Sequence, residues 1–139
     1  MRDDLNSIQV GHESVPIRKK ITQDKINSYA EASSDFNPLH IDPEFAKGTR
    51  FGGTIAHGLL SAAFISEMMT SWFGKGWLYG GELEIKFVGP VQPGDTIVTK
   101  GKVMEIENDG VKRYAVCEVS CENQKEKQVI VGTAKAYLS

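Results

Sequence analysis

No run in the 139-residue chain reaches the ~18 or more apolar residues that a membrane-crossing helix needs. The first residues, MRDDLNSIQVGHESVP, hold no apolar block of the kind a secretory leader carries, so a cytoplasmic location is expected. A basic excess is also missing. Sixteen Lys and Arg stand against 18 Asp and Glu, for a formal net charge of −2. Nucleic-acid binding calls for the opposite balance, so neither nucleic acid nor a membrane is an expected partner. Internal repeats, low-complexity tracts and Pro-, Gly- or Ser-rich linkers are absent too. One domain over residues 1–139 is expected, with the polar residues 1–14 loosely held.

Cysteine is scarce. The two present, Cys117 and Cys121, sit in the alternating stretch VKRYAVCEVSCE, which reads as a strand. Residues four apart on a strand share a face but lie ~13 Å apart. A disulfide needs Cα atoms within ~7 Å, so these two are expected to stay unpaired on a half-buried face.

What is present is an ordinary globular balance, with 40% apolar and 24% charged residues. Pro16 to Ile21 reads as a short edge strand. Thr22 to Ser34 reads as a helix, capped by Thr22, with Ile26, Tyr29 and Ala30 along one face. It should stop near Asp35, because Asn37 precedes Pro38. Residues 35–55 then read as a long irregular excursion, with one helical turn starting at Pro43. His57 to Trp72 is the longest helical pattern, apolar on most sides and therefore expected to be buried. The Gly74-Lys75-Gly76 triplet should end it. Four strands follow: around Leu83–Phe87, Thr96–Ile106, Val111–Cys121 and Gln128–Leu138. Pro93-Gly94-Asp95 and Asn108-Asp109-Gly110 mark turns. The expected fold class is α+β, a curved antiparallel sheet wrapped around one long central helix.

The stretch with unusual chemistry is SSDFNPLHIDPEFAKGTRFGGTIAHGLL, residues 33–60. Asp35 and His40 lie five residues apart across an Asn-Pro turn, which can fold their side chains towards one point. A carboxylate and an imidazole sharing one water form a workable acid–base device. Asp35, His40, Asp42 and His57 can also be assembled on paper as a metal site, but their spacing fits no structural zinc or EF-hand pattern. A purely structural reading stays open: Asp35 capping a turn, Asn37 making an Asx-turn, His40 as a satisfied polar group. His57 and Gly58 open the long helix, where backbone N–H groups lack intrahelical partners and the dipole is positive. Gly58 can serve either as an unobstructed oxyanion donor or as a point of close helix–sheet packing.

The blocks Asp35-Phe36-Asn37-Pro38-Leu39-His40, Asp42-Pro43 and Phe51-Gly52-Gly53-Thr54-Ile55-Ala56-His57-Gly58 resemble the signature of the MaoC-like (R)-specific enoyl-CoA hydratases and dehydratases. Gly89-Pro90-Val91 and Pro93-Gly94-Asp95 also sit where that family has its sheet turn. The match spans about residues 17–138. The resemblance implies a single hot-dog domain and a homodimer or heterodimer whose sheets join edge to edge. It implies Asp35 and His40 as the catalytic pair and the Gly58 N–H as the donor to a thioester oxygen. Ser66 falls where members carry a serine near the pair. Asn37 would shape the turn, and Asn37, Ser66 and His57 are taken as substrate-binding. No metal and no cofactor are expected, since the CoA or acyl-carrier-protein thioester is itself the substrate.

The expected reaction is reversible hydration of a trans-2-enoyl-CoA to an (R)-3-hydroxyacyl-CoA. A (3R)-hydroxyacyl-ACP dehydratase is the nearest alternative, with Lys47, Arg50, Lys75, Lys112 and Arg113 as scattered candidates for a carrier-protein patch. A thioesterase and a non-catalytic acyl-thioester-binding subunit of a heteromer are the others. Met68, Met69, Phe73 and Trp77 read as core rather than substrate-lining.

Overall fold

The computed structural model describes residues 5–138, apart from the side chain of Asn6. After a single helical turn at Leu5–Ser7, the elements run β1 (Ile17–Lys20), α1 (Gln23–Ser33), α2 (Pro38–Ile41), α3 (Pro43–Lys47), α4 (Gly58–Phe73), α5 (Lys75–Gly80), β2 (Glu82–Phe87), β3 (Thr96–Asn108), β4 (Arg113–Glu122) and β5 (Gln128–Tyr137). The five strands form one antiparallel sheet in the order β1-β3-β4-β5-β2. Helix α4 packs against β1, β3, β4 and β5, so the sheet curves around it as expected for a hot-dog fold.

The core follows from two periodicities. Along β4, Ala115, Cys117, Val119 and Cys121 are buried, every second residue, as the strand repeat requires. Along α4, Leu60, Ile65, Met68, Met69, Trp72 and Phe73 are buried against that face. Met68, Met69 and Phe73 are thus core, and Trp77 packs half-buried beside them. Both cysteines are free and fully buried, and burial pushes each thiol from 9.0 up to about 12.

Several local readings differ from the structure. Residues 35–55 hold two short helices rather than one turn. Pro38 and Pro43 each occupy a first helical turn, where a missing N–H costs nothing. Gly74 does end α4, with φ 57°, but α5 begins at the next residue. Of residues 1–14, the first four lie outside the described residues. Gly11 and Ser14 donate backbone hydrogen bonds to Val103 and Gly101 of β3, and Ile8 is buried. Strand β2 is a sheet edge with little cover, so Leu83 and Phe87 stay exposed despite their alternation.

Candidate active site

The site is built where the 35–57 excursion folds back onto the start of α4. Thr22 caps α1 by accepting from the Lys25 N–H, and α1 is closed by its C-cap Ser34, whose φ of 61° turns the chain. Asp35 follows. Its Oδ1 accepts from the Asn37 N–H at 3.3 Å, and Asn37 Oδ1 accepts from the Leu39 N–H at 3.0 Å. These two Asx links start α2 and set His40 one turn later. Asn37 therefore uses its side-chain oxygen as a helix cap. Asp42 does the same for α3, accepting from the N–H groups of Glu44 and Phe45.

His40 is held from two sides. Its Nδ1 lies 2.8 Å from the Ile55 carbonyl, and its own carbonyl accepts from Gln23 Nε2 at 2.8 Å. Gln23 is fixed in turn by Thr54 Oγ1, which donates to Oε1 at 2.6 Å. A carbonyl only accepts, so His40 Nδ1 carries the proton and Nε2 is left with the lone pair in the neutral ring. Gln23 and Thr54 escaped the sequence reading because a polar pair linking distant segments leaves no periodic signal.

His57 is 3% exposed. Its Nε2 lies 2.9 Å from the Asp35 carbonyl and therefore donates to it. Its ring stacks on His40 with centroids 3.9 Å apart, and Tyr29 lies against it at 4.8 Å. Asp35, His40 and His57 bring donor atoms within 4.8 Å of one another. A metal ion fits this cluster poorly. It would need to lie in both imidazole planes at ~2.0–2.1 Å from each nitrogen, whereas the planes are stacked and only 27° from parallel.

His40 and Gly58 line one cavity of about 450 Å³. Gly58 is the first residue of α4, so its N–H belongs to the group without intrahelical acceptors, at the positive end of the helix. A Cβ at Gly58 would meet the Phe87 ring at 2.6 Å, so the missing side chain also leaves room for that exposed ring. The packing reading of this residue thus has a contact behind it. Ser66 is not brought to the cluster. It lies eight residues further along α4, and its Oγ accepts from Trp77 Nε1 at 2.9 Å. Of the basic residues considered for a carrier patch, Arg50 lines the cavity, over the Phe51 ring, while Arg113 begins β4 and Lys112 precedes it.

Comparison with known proteins agrees with this geometry. The family described as "MaoC like domain" matches residues 8–128. An (R)-specific enoyl-CoA hydratase of Aeromonas caviae is 35% identical over 104 residues, 74% of this chain and 76% of that protein. A protein of the same name from Rhodospirillum rubrum is 34% identical over 123 residues, covering 88% and 83%. The unliganded R-hydratase of Pseudomonas aeruginosa superposes with a TM-score of 0.85 at 27% identity, over 97% of this chain and 84% of that one. With the Asp35–His40 turn and the Gly58 helix start placed together on a hot-dog sheet, and with these likenesses along most of its length, the chain belongs to the MaoC-like domain family.

Proposed function

We propose that the protein reversibly adds water to a trans-2-enoyl thioester, giving the (R)-3-hydroxyacyl thioester. The carrying observation is the His40 tautomer. With Nδ1 committed to the Ile55 carbonyl, Nε2 keeps the lone pair of a ring that clusters with Asp35 and lines the Gly58 cavity. Asp35 and His40 Nε2 hold one water. Its oxygen bonds to C3, one of its protons passes to the pair, and a proton from the pair is delivered to C2. The double bond is consumed and no redox change occurs. Negative charge builds on the thioester oxygen, where the Gly58 N–H and the α4 dipole oppose it. Positioned acid–base groups and one oxyanion donor account for this chemistry without metal or cofactor.

The (R) outcome and the CoA carrier are supported by the names of the relatives. Acyl-carrier-protein and CoA thioesters share a phosphopantetheine arm, and Arg50 at the cavity suits its phosphate in either case. We also propose a dimer. Strand β2 is an uncovered edge with exposed Leu83 and Phe87, and pairing it with a second copy satisfies both the edge and the apolar surface.

Loss of enoyl-thioester absorbance with crotonyl-CoA, coupled to an (R)-specific dehydrogenase, tests the reading. Asp35→Ala and His40→Ala should each lower turnover by ~10²–10⁴-fold. Unchanged turnover in both folded variants rejects the assignment. Release of free CoA from a saturated acyl-CoA would indicate a thioesterase, and tight binding without turnover a binding subunit.

A further inference from the structure

Helix α2 carries His40, yet none of its residues is buried, so packing does not fix it. A helix this short does not hold itself together either. A closed circuit of hydrogen bonds holds it instead. Gln23 Nε2 donates to the His40 carbonyl at 2.8 Å, and the His40 ring donates from Nδ1 to the Ile55 carbonyl at 2.8 Å. Thr54, the neighbour of Ile55, donates from Oγ1 back to Gln23 Oε1 at 2.6 Å. Within the circuit, the Ile55 N–H donates to the Leu39 carbonyl at 3.2 Å.

One side chain, Gln23, thus holds both attachments of the imidazole. Its Nε2 fixes the main chain from which the ring hangs. Its Oε1 fixes, through Thr54, the carbonyl that receives the ring proton. The amide has no freedom to turn over, because its second Nε2–H goes to Asn27 Oδ1 at 2.9 Å. Reversed, its oxygen would face two acceptors. The His57 stack limits the tilt of the His40 ring but does not choose which nitrogen carries the proton. Gln23 and Thr54 do not line the cavity, whereas His40 and Ile55 do.

We propose that Gln23 and Thr54 are positioning residues, a clamp that sets the place and the tautomer of the His40 ring. They thereby govern turnover without touching substrate, a consequence that rests on the enoyl-thioester reading. Without the clamp, the Ile55 carbonyl shifts relative to the His40 main chain, and the ring proton is shared between Nδ1 and Nε2. A ring protonated at Nε2 has no lone pair there for the water, and a displaced ring loses its alignment. Thr54 acts only through Gln23, so substitutions at the two positions should not add.

Gln23→Met and Thr54→Val keep the side-chain shapes and remove the polar atoms. With crotonyl-CoA, Gln23→Met should lower kcat roughly 10- to 100-fold and leave KM within about twofold of the parent. Thr54→Val should show the same split more weakly, and Thr54→Ser, which keeps the hydroxyl, should match the parent. The double variant leaves no Thr54 hydroxyl unpaired, so it should regain thermal stability over Gln23→Met while its kcat stays at the Gln23→Met level. Ring nitrogen NMR at about pH 8, above the ordinary imidazole range, should show His40 protonated at Nδ1 in the parent and as a mixture of tautomers in Gln23→Met. Parent-like kcat in Gln23→Met, or in Thr54→Val should Gln23→Met not fold, overturns the clamp. So does a double variant whose kcat recovers with its stability, or whose losses multiply. If the parent hydrates nothing, the enoyl-thioester reading fails and the ring spectra decide the clamp alone: a His40 ring that is the same in parent and variants overturns it.

Discussion

His40 and His57 lie ring on ring, with centroids 3.9 Å apart and planes 27° from parallel. His57 also donates Nε2–H to the Asp35 carbonyl. One buried imidazole thus touches both members of the proposed acid–base pair, one through its ring and the other through its backbone. Its role in this geometry is positioning. His57→Phe keeps a ring against His40 and loses the donor. His57→Gln keeps a donor and loses the ring. A displacement of about 1 Å at a reacting group costs ~10²-fold, so His57→Phe should lower kcat by roughly that factor with KM little changed. His57→Gln should recover part of the loss if the Asp35 contact dominates. Parent-like kcat in both variants would remove His57 from this role.

The sequence made α1, α4 and the four long strands legible because their apolar periods are strong. Ile26 and Ala30 recur at helical spacing, and Ala115 to Cys121 at strand spacing. The Asp35–His40 turn was legible through Asn37 and Pro38, which have few conformational options. Helix α2 was not, since four residues carry no period. Nor was α5, because Gly74 stops one helix and caps the next. The exposure of β2 was hidden because alternation shows which residues share a face, not whether anything covers that face.

Cys117 and Cys121 give an alkaline prediction. Burial holds both thiols at about 12 in the folded chain, raised from 9.0. The unfolded chain ionises first as pH rises. The stabilisation from keeping these thiols neutral is therefore complete below pH 9 and is lost as pH climbs towards 12. Denaturant titrations should show falling stability over that window, and Cys117→Ala/Cys121→Ala should flatten the fall. Iodoacetamide at about pH 8 should leave the native protein unlabelled and label the unfolded one, because the thiolate is the nucleophile. Rapid native labelling would contradict the buried placement.

The β2 edge makes an assembly prediction. Leu83 is 37% exposed on an edge strand whose other side pairs with β5. The opposite edge, β1, carries Arg18, Lys19 and Lys20 and is protected by charge. Light scattering after gel filtration should give twice the chain mass for the parent. Leu83→Lys should shift it towards the single-chain mass by placing unpaired charges face to face across the axis. A dimer that tolerates Leu83→Lys would place the interface elsewhere.

Gly58 combines two demands that a pair of substitutions can separate. Its N–H is the proposed oxyanion donor, and its missing Cβ leaves room for the Phe87 ring. A Cβ at 2.6 Å from that ring is not tolerated without movement, so Gly58→Ala must push either Phe87 outwards or the start of α4 away from its place. Phe87 is 54% exposed, which makes the ring the easier of the two to move. If the glycine matters only for clearance, Gly58→Ala/Phe87→Ala should restore turnover to the level of Phe87→Ala alone. If the thioester itself approaches the α carbon of Gly58, the added methyl blocks it whatever stands at position 87. The double variant should then remain ~10²–10³-fold below Phe87→Ala, the size of effect seen when an oxyanion donor is lost. The Gly58 assignment requires the second result; full restoration would return this residue to packing alone.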